Sequence, residues 1–102
     1  MYLISVYVPE SHSEIVKSAL FEAGAGRYGN YDCCAWQTTG TGQFRPLEGS
    51  NPFAGRKNVI EKIPEVKIEV ICPPELIDEA IQAVKNAHPY EEPALHYFKI
   101  SL

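Results

Sequence analysis

The sequence predicts a single α+β domain over residues 1–102, in which two β-α-β halves contribute to one sheet. Two repeated features carry this prediction. A proline, Pro9 or Pro73, ends the strand before each expected helix. The apolar positions of the two helices recur at one constant offset, namely Ile15, Val16, Ala19, Leu20 and Ala23 in the first and Leu76, Ile77, Ala80, Ile81 and Val84 in the second. The simplest fold for two such halves is the ferredoxin-like split βαβ sandwich, an antiparallel four-stranded sheet with two helices on one face.

The first half of the chain begins with a strand, Tyr2 to Val8, that has no charge on either face. A strand with one face in water alternates apolar and polar residues, so we expect this strand to be covered on both sides. Ser11 followed by Glu14 predicts a capping box at the start of the first helix, and Gly24 predicts a left-handed helix end. In order, the expected elements are strands near residues 2–8, 31–39, 66–72 and 94–101, and helices near residues 12–23 and 74–87.

The stretch Gly40 to Lys57 is rich in glycine and proline, which predicts an excursion from the sheet with a short hairpin around residues 43–45. A loop of this length in a small domain is usually functional or mobile. We therefore expect it to be the most mobile or the most intersubunit part of the protein. After it, we expect residues 59–63 to form a short strand that Pro64 closes.

The second half repeats the pattern of the first. Residues 66–72 alternate as a strand with a polar face, and Pro74 is suited to the first turn of the helix that follows. Pro89 prevents that helix from continuing. The last strand begins at about residue 94, and both it and the first strand carry large apolar side chains on two faces. Because two helices cover only one face of a four-stranded sheet, we expect the other face to be buried by oligomerisation.

Composition limits the classes of partner. The chain has 102 residues, nine basic against 13 acidic, and a net charge of −4. Nucleic acid and anionic membranes both require clustered Lys and Arg, so we expect neither as a partner. The three cysteines are an odd number, and the first residues lack a basic leader. We therefore expect reduced thiols and a cytoplasmic location.

The densest group of reactive side chains is His88-Pro89-Tyr90-Glu91-Glu92-Pro93, which joins the second helix to the last strand. An imidazole, a phenol and two carboxylates within one turn could bind a metal ion or transfer protons. His88 and Glu91 are the candidate metal ligands. The alternative is structural: consecutive residues rarely converge on one ion, and two prolines make a rigid turn.

With that turn come Gly40-Thr41-Gly42-Gln43-Phe44-Arg45-Pro46, then Glu48-Gly49, then Asn51-Pro52-Phe53-Ala54-Gly55. Together these motifs resemble the YqfO-type domain that is inserted in the Nif-three-like dinuclear-metal-centre proteins, here as a stand-alone domain. The turn is also similar to that of CutA proteins. The resemblance implies a PII/CutA-like fold and a trimer. It does not imply the dinuclear metal centre, whose ligands belong to flanking lobes outside these motifs.

Other groups are weaker candidates. Cys33 and Cys34 are neighbours on an expected strand and would point to opposite faces. Either could join His88 or His96 in a zinc or copper site, but both are more simply small buried residues. The Gly-x-Gly-x-x-Gly pattern from Gly24 lies between a helix and a strand, which is the reverse of the dinucleotide-binding context. No nucleophile and base are visible together, so we expect no enzymatic activity.

Three functional hypotheses follow. The first is a non-enzymatic, oligomeric PII/CutA-like module that senses a small ligand or assembles with protein. Its expected cofactor is none, its partners are its own copies, and its candidate ligand-binding residues at a subunit cleft are Gly40, Gly42, Arg45, Glu48, His88 and Tyr90. The alternative is a divalent-metal-binding, CutA-like protein that uses His88 and Glu91. An enzyme with its site at a subunit boundary is the third.

Overall fold

The computed structural model describes residues 1–102 and contains four strands and two α-helices, each helix preceded by a short 3-10 turn. In chain order they are β1 (Tyr2–Pro9), α1 (Ser13–Glu22), β2 (Trp36–Phe44), β3 (Glu61–Cys72), α2 (Ile77–Ala87) and β4 (Leu95–Lys99). The sheet has the order β2-β3-β1-β4, and each neighbouring pair is antiparallel. The predicted split βαβ sandwich is confirmed.

The core lies between one face of the sheet and the two helices. Strand pairing in register places alternate residues of β1 and β3 on this face, where they meet one stripe of each helix. The fully enclosed side chains are Ile4, Val6, Val8, Val16, Leu20, Val66, Ile68, Val70, Cys72, Ala80 and Val84. Both helices therefore pack on the same face of the sheet. Of the apolar positions predicted for the first helix, Ile15 lies outside this core and is 54% exposed.

The two ends of α1 are stabilised differently from each other. At its C-terminus Gly24 has φ +98°, and the N–H groups of Gly24 and Ala25 donate to the carbonyls of Phe21 and Leu20. This is a Schellman motif, as the glycine predicted. The capping box expected at Ser11 and Glu14 was wrong. Ser11 Oγ instead lies 2.8 Å from His12 Nδ1, and Glu14 forms an ion pair within the helix. The 3-10 turn over residues 10–12 delays the start of the helix to Ser13, so that His12 rather than Ser11 is at the N-cap position.

The second strand was predicted at residues 31–39 and lies at 36–44. Tyr28 and Tyr31 exchange backbone hydrogen bonds across a tight turn, and the Cys34 N–H donates to the Gly26 carbonyl. These bonds divert the chain before it joins the sheet. Cys33 therefore lies on a loop, exposed and with φ +54°, and Cys34 is half-buried. The expectation that both were buried strand residues was wrong.

β3 is one strand of 12 residues rather than the two short strands predicted on either side of Pro64. Its pairing with β1 ends at Glu65, and from there to Glu61 only β2 accompanies it. Pro64 is tolerated because β3 has a neighbour on one side only at that point. The two strands project as a ribbon from the sheet, and the molecule is correspondingly long, 46 × 24 × 23 Å. Residues 40–44, predicted as part of the excursion, belong to this ribbon, and the loop itself spans residues 45–60.

We predict that Gly24→Ala destabilises the fold by about 1–2 kcal/mol, since a left-handed backbone costs an L-residue that much. A Cβ at this position would also lie 2.7 Å from Leu76 Cδ1. Urea unfolding followed by circular dichroism measures the change. Gly40→Ala is the control, because position 40 has open space around it and no positive φ. Equal midpoints for the two variants would contradict the prediction.

Candidate functional site

The turn that follows α2 is tied to the sheet by His88, which is 6% exposed. The Tyr90 N–H donates to His88 Nδ1 at 3.1 Å, so the ring proton is on Nε2. From there it is donated to the Tyr7 carbonyl at 2.7 Å. Both ring nitrogens are therefore occupied, and the turn is held against β1.

Burial is the main influence on the pKa of the His88 imidazole. It lowers the pKa of His88 below its ordinary value of 6.5, and nearby His12 acts in the same direction. The hydrogen bond to Tyr7 and the carboxylate of Glu65 oppose the shift without cancelling it. The neutral ring is also the form that the Tyr90 N–H requires, because protonated Nδ1 cannot accept a hydrogen bond.

Tyr90 reaches from the turn to the ribbon. Its hydroxyl donates to Glu65 Oε2 at 3.1 Å. Burial, and then the charge and hydrogen bond of Glu65, raise the pKa of the phenol, so it remains a donor throughout the neutral range. The ring centroid lies 5.9 Å from that of Phe44 and 6.1 Å from that of Phe53. Tyr90 thus joins the turn, β3 and the loop.

A cavity of about 270 Å³ lies where these three segments meet. It is bounded by the end of β2, the loop over residues 45–60 and the turn after α2. Its principal walls are Phe44, Arg45, Phe53, Glu65, Tyr90 and Glu91. The mixture of aromatic rings and charged groups around a concave surface is typical of small-molecule sites.

The loop beside this cavity is held by its own hydrogen bonds. The Asn51 N–H donates to Glu91 Oε1 at 3.0 Å, which joins the loop to the turn after α2. Asn58 Nδ2 donates to Glu48 Oε1 at 3.0 Å. Ser50 Oγ donates to the Leu47 carbonyl at 2.6 Å. Glu48 therefore stabilises the loop and lies outside the cavity wall.

The structure brings together only part of the predicted ligand-binding set. Arg45 and Tyr90 line the cavity, and His88 lies buried behind Tyr90. Gly42 lies under Glu65, where a Cβ would collide with the carboxylate. Gly40 and Gly42 both line a separate depression over the sheet, of about 460 Å³. Within one chain the six residues are therefore distributed over two concave surfaces, the loop and the buried position behind Tyr90. The predicted cleft between subunits stays a prediction.

Sequence reasoning missed Phe44, Phe53 and Glu65 as members of the site. Glu65 precedes Tyr90 by 25 residues and Phe53 lies further upstream, so only the fold brings them to the turn after α2. One signal was available for Glu65: it follows Pro64 in a strand whose alternating residues are polar on one face. That pattern does not show that the Glu65 carboxylate would accept a hydrogen bond from Tyr90 in the turn after α2.

The geometry gives no support to a metal site at His88 and Glu91. The imidazole has no free lone pair, and one Glu91 oxygen accepts from Asn51. Nowhere among residues 1–102 do three or more His, Cys, Asp or Glu side chains converge as metal ligands. Cys72 is in the core, where burial raises the pKa of its thiol, and His96 packs beside Tyr7 with ring centroids 6.0 Å apart.

No helix of this chain has both the length and the apolar character needed to cross a bilayer.

Comparison with known proteins identifies relatives of the whole domain. No protein-family model matches the chain. Over 98 residues it is 49% identical to a protein named GTP cyclohydrolase 1 type 2 homolog from Listeria innocua, which covers 95% of this chain and 26% of that protein. It superposes on a Bacillus cereus protein related to NIF3 with a TM-score of 0.85 and 40% identity, over 99% of this chain and 26% of the other. The resemblance to Nif-three-like proteins is confirmed, and this chain spans about a quarter of the length of these relatives.

The fold is shared with much smaller proteins. The divalent cation tolerance protein CutA from Archaeoglobus fulgidus aligns over 100% of this chain and 86% of its own, with a TM-score of 0.71. The sequences are 20% identical, so this likeness concerns the fold. The PII/CutA-like architecture that the resemblance implied is confirmed.

We predict that stability falls as the pH decreases below the ordinary histidine pKa of 6.5. The lowered pKa of His88 means that the unfolded chain binds a proton more readily than the folded one. Its contribution is therefore complete above pH 6.5 and is lost as the pH falls through the folded pKa. Urea unfolding at a series of pH values measures this dependence.

His88→Gln should flatten that pH dependence, in addition to any loss of stability at neutral pH. His96→Gln is the matched control, because His96 is exposed on β4 and forms no hydrogen bond that would change with protonation. An unchanged slope in His88→Gln would show that another group causes the effect.

Proposed function

We propose that this chain is a non-enzymatic module that assembles with copies of itself and binds a small ligand in the cavity beside Tyr90. The copies would meet through the face of the sheet opposite the helices, called here the free face. The observation that carries the assembly is the free face itself. Both helices pack on the opposite side, so no element of the chain covers it.

The free face carries large apolar side chains from all four strands. The register places seven of them there: Leu3, Tyr7, Trp36, Phe44, Ile63, Ile71 and Phe98. Trp36 is 68% exposed and Phe98 is 51% exposed. Each large apolar group moved from water into an interface contributes about 1.5–3 kcal/mol. A patch of this kind on a soluble chain is typical of an interaction surface.

Polar groups on the free face are compatible with a specific interface. Lys67 Nζ lies 5.9 Å from the ring centroid of Tyr7, between the carboxylates of Glu65 and Glu69 along β3. The alternating charges along β3 would set the orientation of the copies.

The ligand-binding part of the proposal depends on the cavity. Phe44 and Glu65 belong both to the free face and to the cavity wall, so the cavity opens beside the proposed interface. Ligand occupancy and assembly would then affect the same side chains. The resemblance to CutA proteins implies a closed ring of three copies, in which the free faces would be enclosed.

We predict a mass of three times 11.4 kDa in size-exclusion chromatography with light scattering at micromolar concentration. Tyr7→Glu and Phe98→Glu should each shift the protein towards the monomer, because each introduces a charge into the shared interior. Circular dichroism checks that the variants remain folded.

Ile15→Glu is the matched control for these two variants. Ile15 is an apolar residue as exposed as Phe98, but it lies on α1, away from the free face. A wild-type mass of 11.4 kDa would refute self-assembly. A dimer would retain burial of the free face and reject the trimer. Dissociation by Ile15→Glu alone would place the interface on the helices.

A further inference from the structure

We propose that the cavity beside Tyr90 recognises a small organic cation, namely a quaternary ammonium or protonated amine group. This inference rests on the proposed ligand-binding role of the cavity and adds the chemical class of the ligand. Two independent features carry it: the aromatic rings that line the cavity, and the excess of carboxylates around it.

The aromatic rings form a corner rather than a stack. The Tyr90 ring is tilted by 58° to Phe44 and by 50° to Phe53, with centroids about 6 Å apart in each pair. All three rings line the cavity. Ring faces at an angle to one another can approach one cationic group from several sides, which is the arrangement that aromatic cages use for quaternary ammonium.

Phe53 is 51% exposed although the loop that carries it is well anchored. The hydrogen bond from Asn51 to Glu91 fixes the loop next to the turn, and the Phe53 ring also contacts His12 with centroids 5.4 Å apart. The ring is therefore held in place at the cavity wall with half of its surface exposed. A ligand would bury it at little cost in loop ordering.

The charges around the cavity favour a positive ligand. Three carboxylates line it, Glu65, Glu91 and Glu92, against one cation, Arg45. Glu65 is fixed by the Tyr90 hydroxyl and Glu91 by the Asn51 N–H, so two of the negative charges have defined positions. Neither of these contacts neutralises its carboxylate. An anionic ligand would be repelled, and a neutral one would gain nothing from these charges.

A metal ion fits the cavity less well than an organic cation. Metal ions need several ligand atoms that converge on one point, and the side chains here do not converge in that way. Phenylalanine rings also do not replace the tightly held water of a small inorganic ion. A quaternary ammonium group is weakly hydrated and is attracted to ring faces and to carboxylates at a distance.

The test compares three probes of nearly equal shape by isothermal titration calorimetry: choline, its uncharged isostere 3,3-dimethyl-1-butanol, and the anion 3,3-dimethylbutanoate. Choline should bind at least roughly tenfold more tightly than either of the others, because only the charge distinguishes it from the neutral probe. Choline affinity should also decrease at higher salt concentration.

Two variants test the two features separately. Phe53→Leu retains an apolar side chain without the ring, and Glu65→Gln retains a hydrogen-bond acceptor for Tyr90 without the charge. Each should weaken choline binding by roughly threefold to tenfold, and the affinity of the neutral probe should change less than that of choline. Tyr31→Leu and Glu79→Gln are the matched controls, since both residues are exposed and lie outside the cavity wall.

Equal affinity for choline and its neutral isostere, tighter binding of the anion, or no binding of choline would each overturn the inference. The probe comparison needs only the wild-type chain, so a variant that fails to fold does not prevent a decision. Light scattering on the same samples separates this inference from the proposed assembly. If the protein is an oligomer and does not bind choline, only the cation site is refuted. If it is a monomer and binds choline, only the assembly is refuted.

Discussion

The pairing of β1 with β3 is the constraint on which the rest of the structure depends. Its register places Ile4 and Val6 on the same face as Ile68 and Val70, where both helices cover them. A slip by one residue would move every one of these side chains to the opposite face. The same register ends at Glu65, because β1 ends there while β3 continues. The ribbon, and the cavity at its base, result from this difference in strand length.

His88 transmits that constraint to the site. The carbonyl it binds belongs to Tyr7 of β1, and the N–H it accepts belongs to Tyr90. A buried imidazole with both nitrogens occupied allows only one ring position, so the turn after α2 has a defined distance from the sheet. Tyr90 can then reach Glu65 of β3. The turn that resembles a reactive cluster in the sequence is thus the link that positions the cavity wall.

The two proposed surfaces differ in physical character. The free face of the sheet is broad, largely apolar at its ends and suited to a second copy of the chain. The cavity is small, with aromatic rings and three carboxylates, and is suited to a compact ligand. They share Phe44 and Glu65 along the ribbon. A ligand that contacts these residues would therefore act at the edge of the assembly surface, which gives a physical route from binding to assembly.

Repeating local patterns determined the architecture from sequence alone. The helical stripes, the proline before each helix and Gly24 indicated two equivalent halves and one helix end, because each depends on a few neighbouring residues. The start of β2 and the continuity of β3 through Pro64 depend on which backbone partner is available, and that was decided only in three dimensions. Of the site, Arg45 and Tyr90 were predicted from the motifs in which they lie. Phe53 and Glu65 join them only because the register of β3 and the hydrogen bonds of His88 bring distant segments together, and no local pattern encodes that distance.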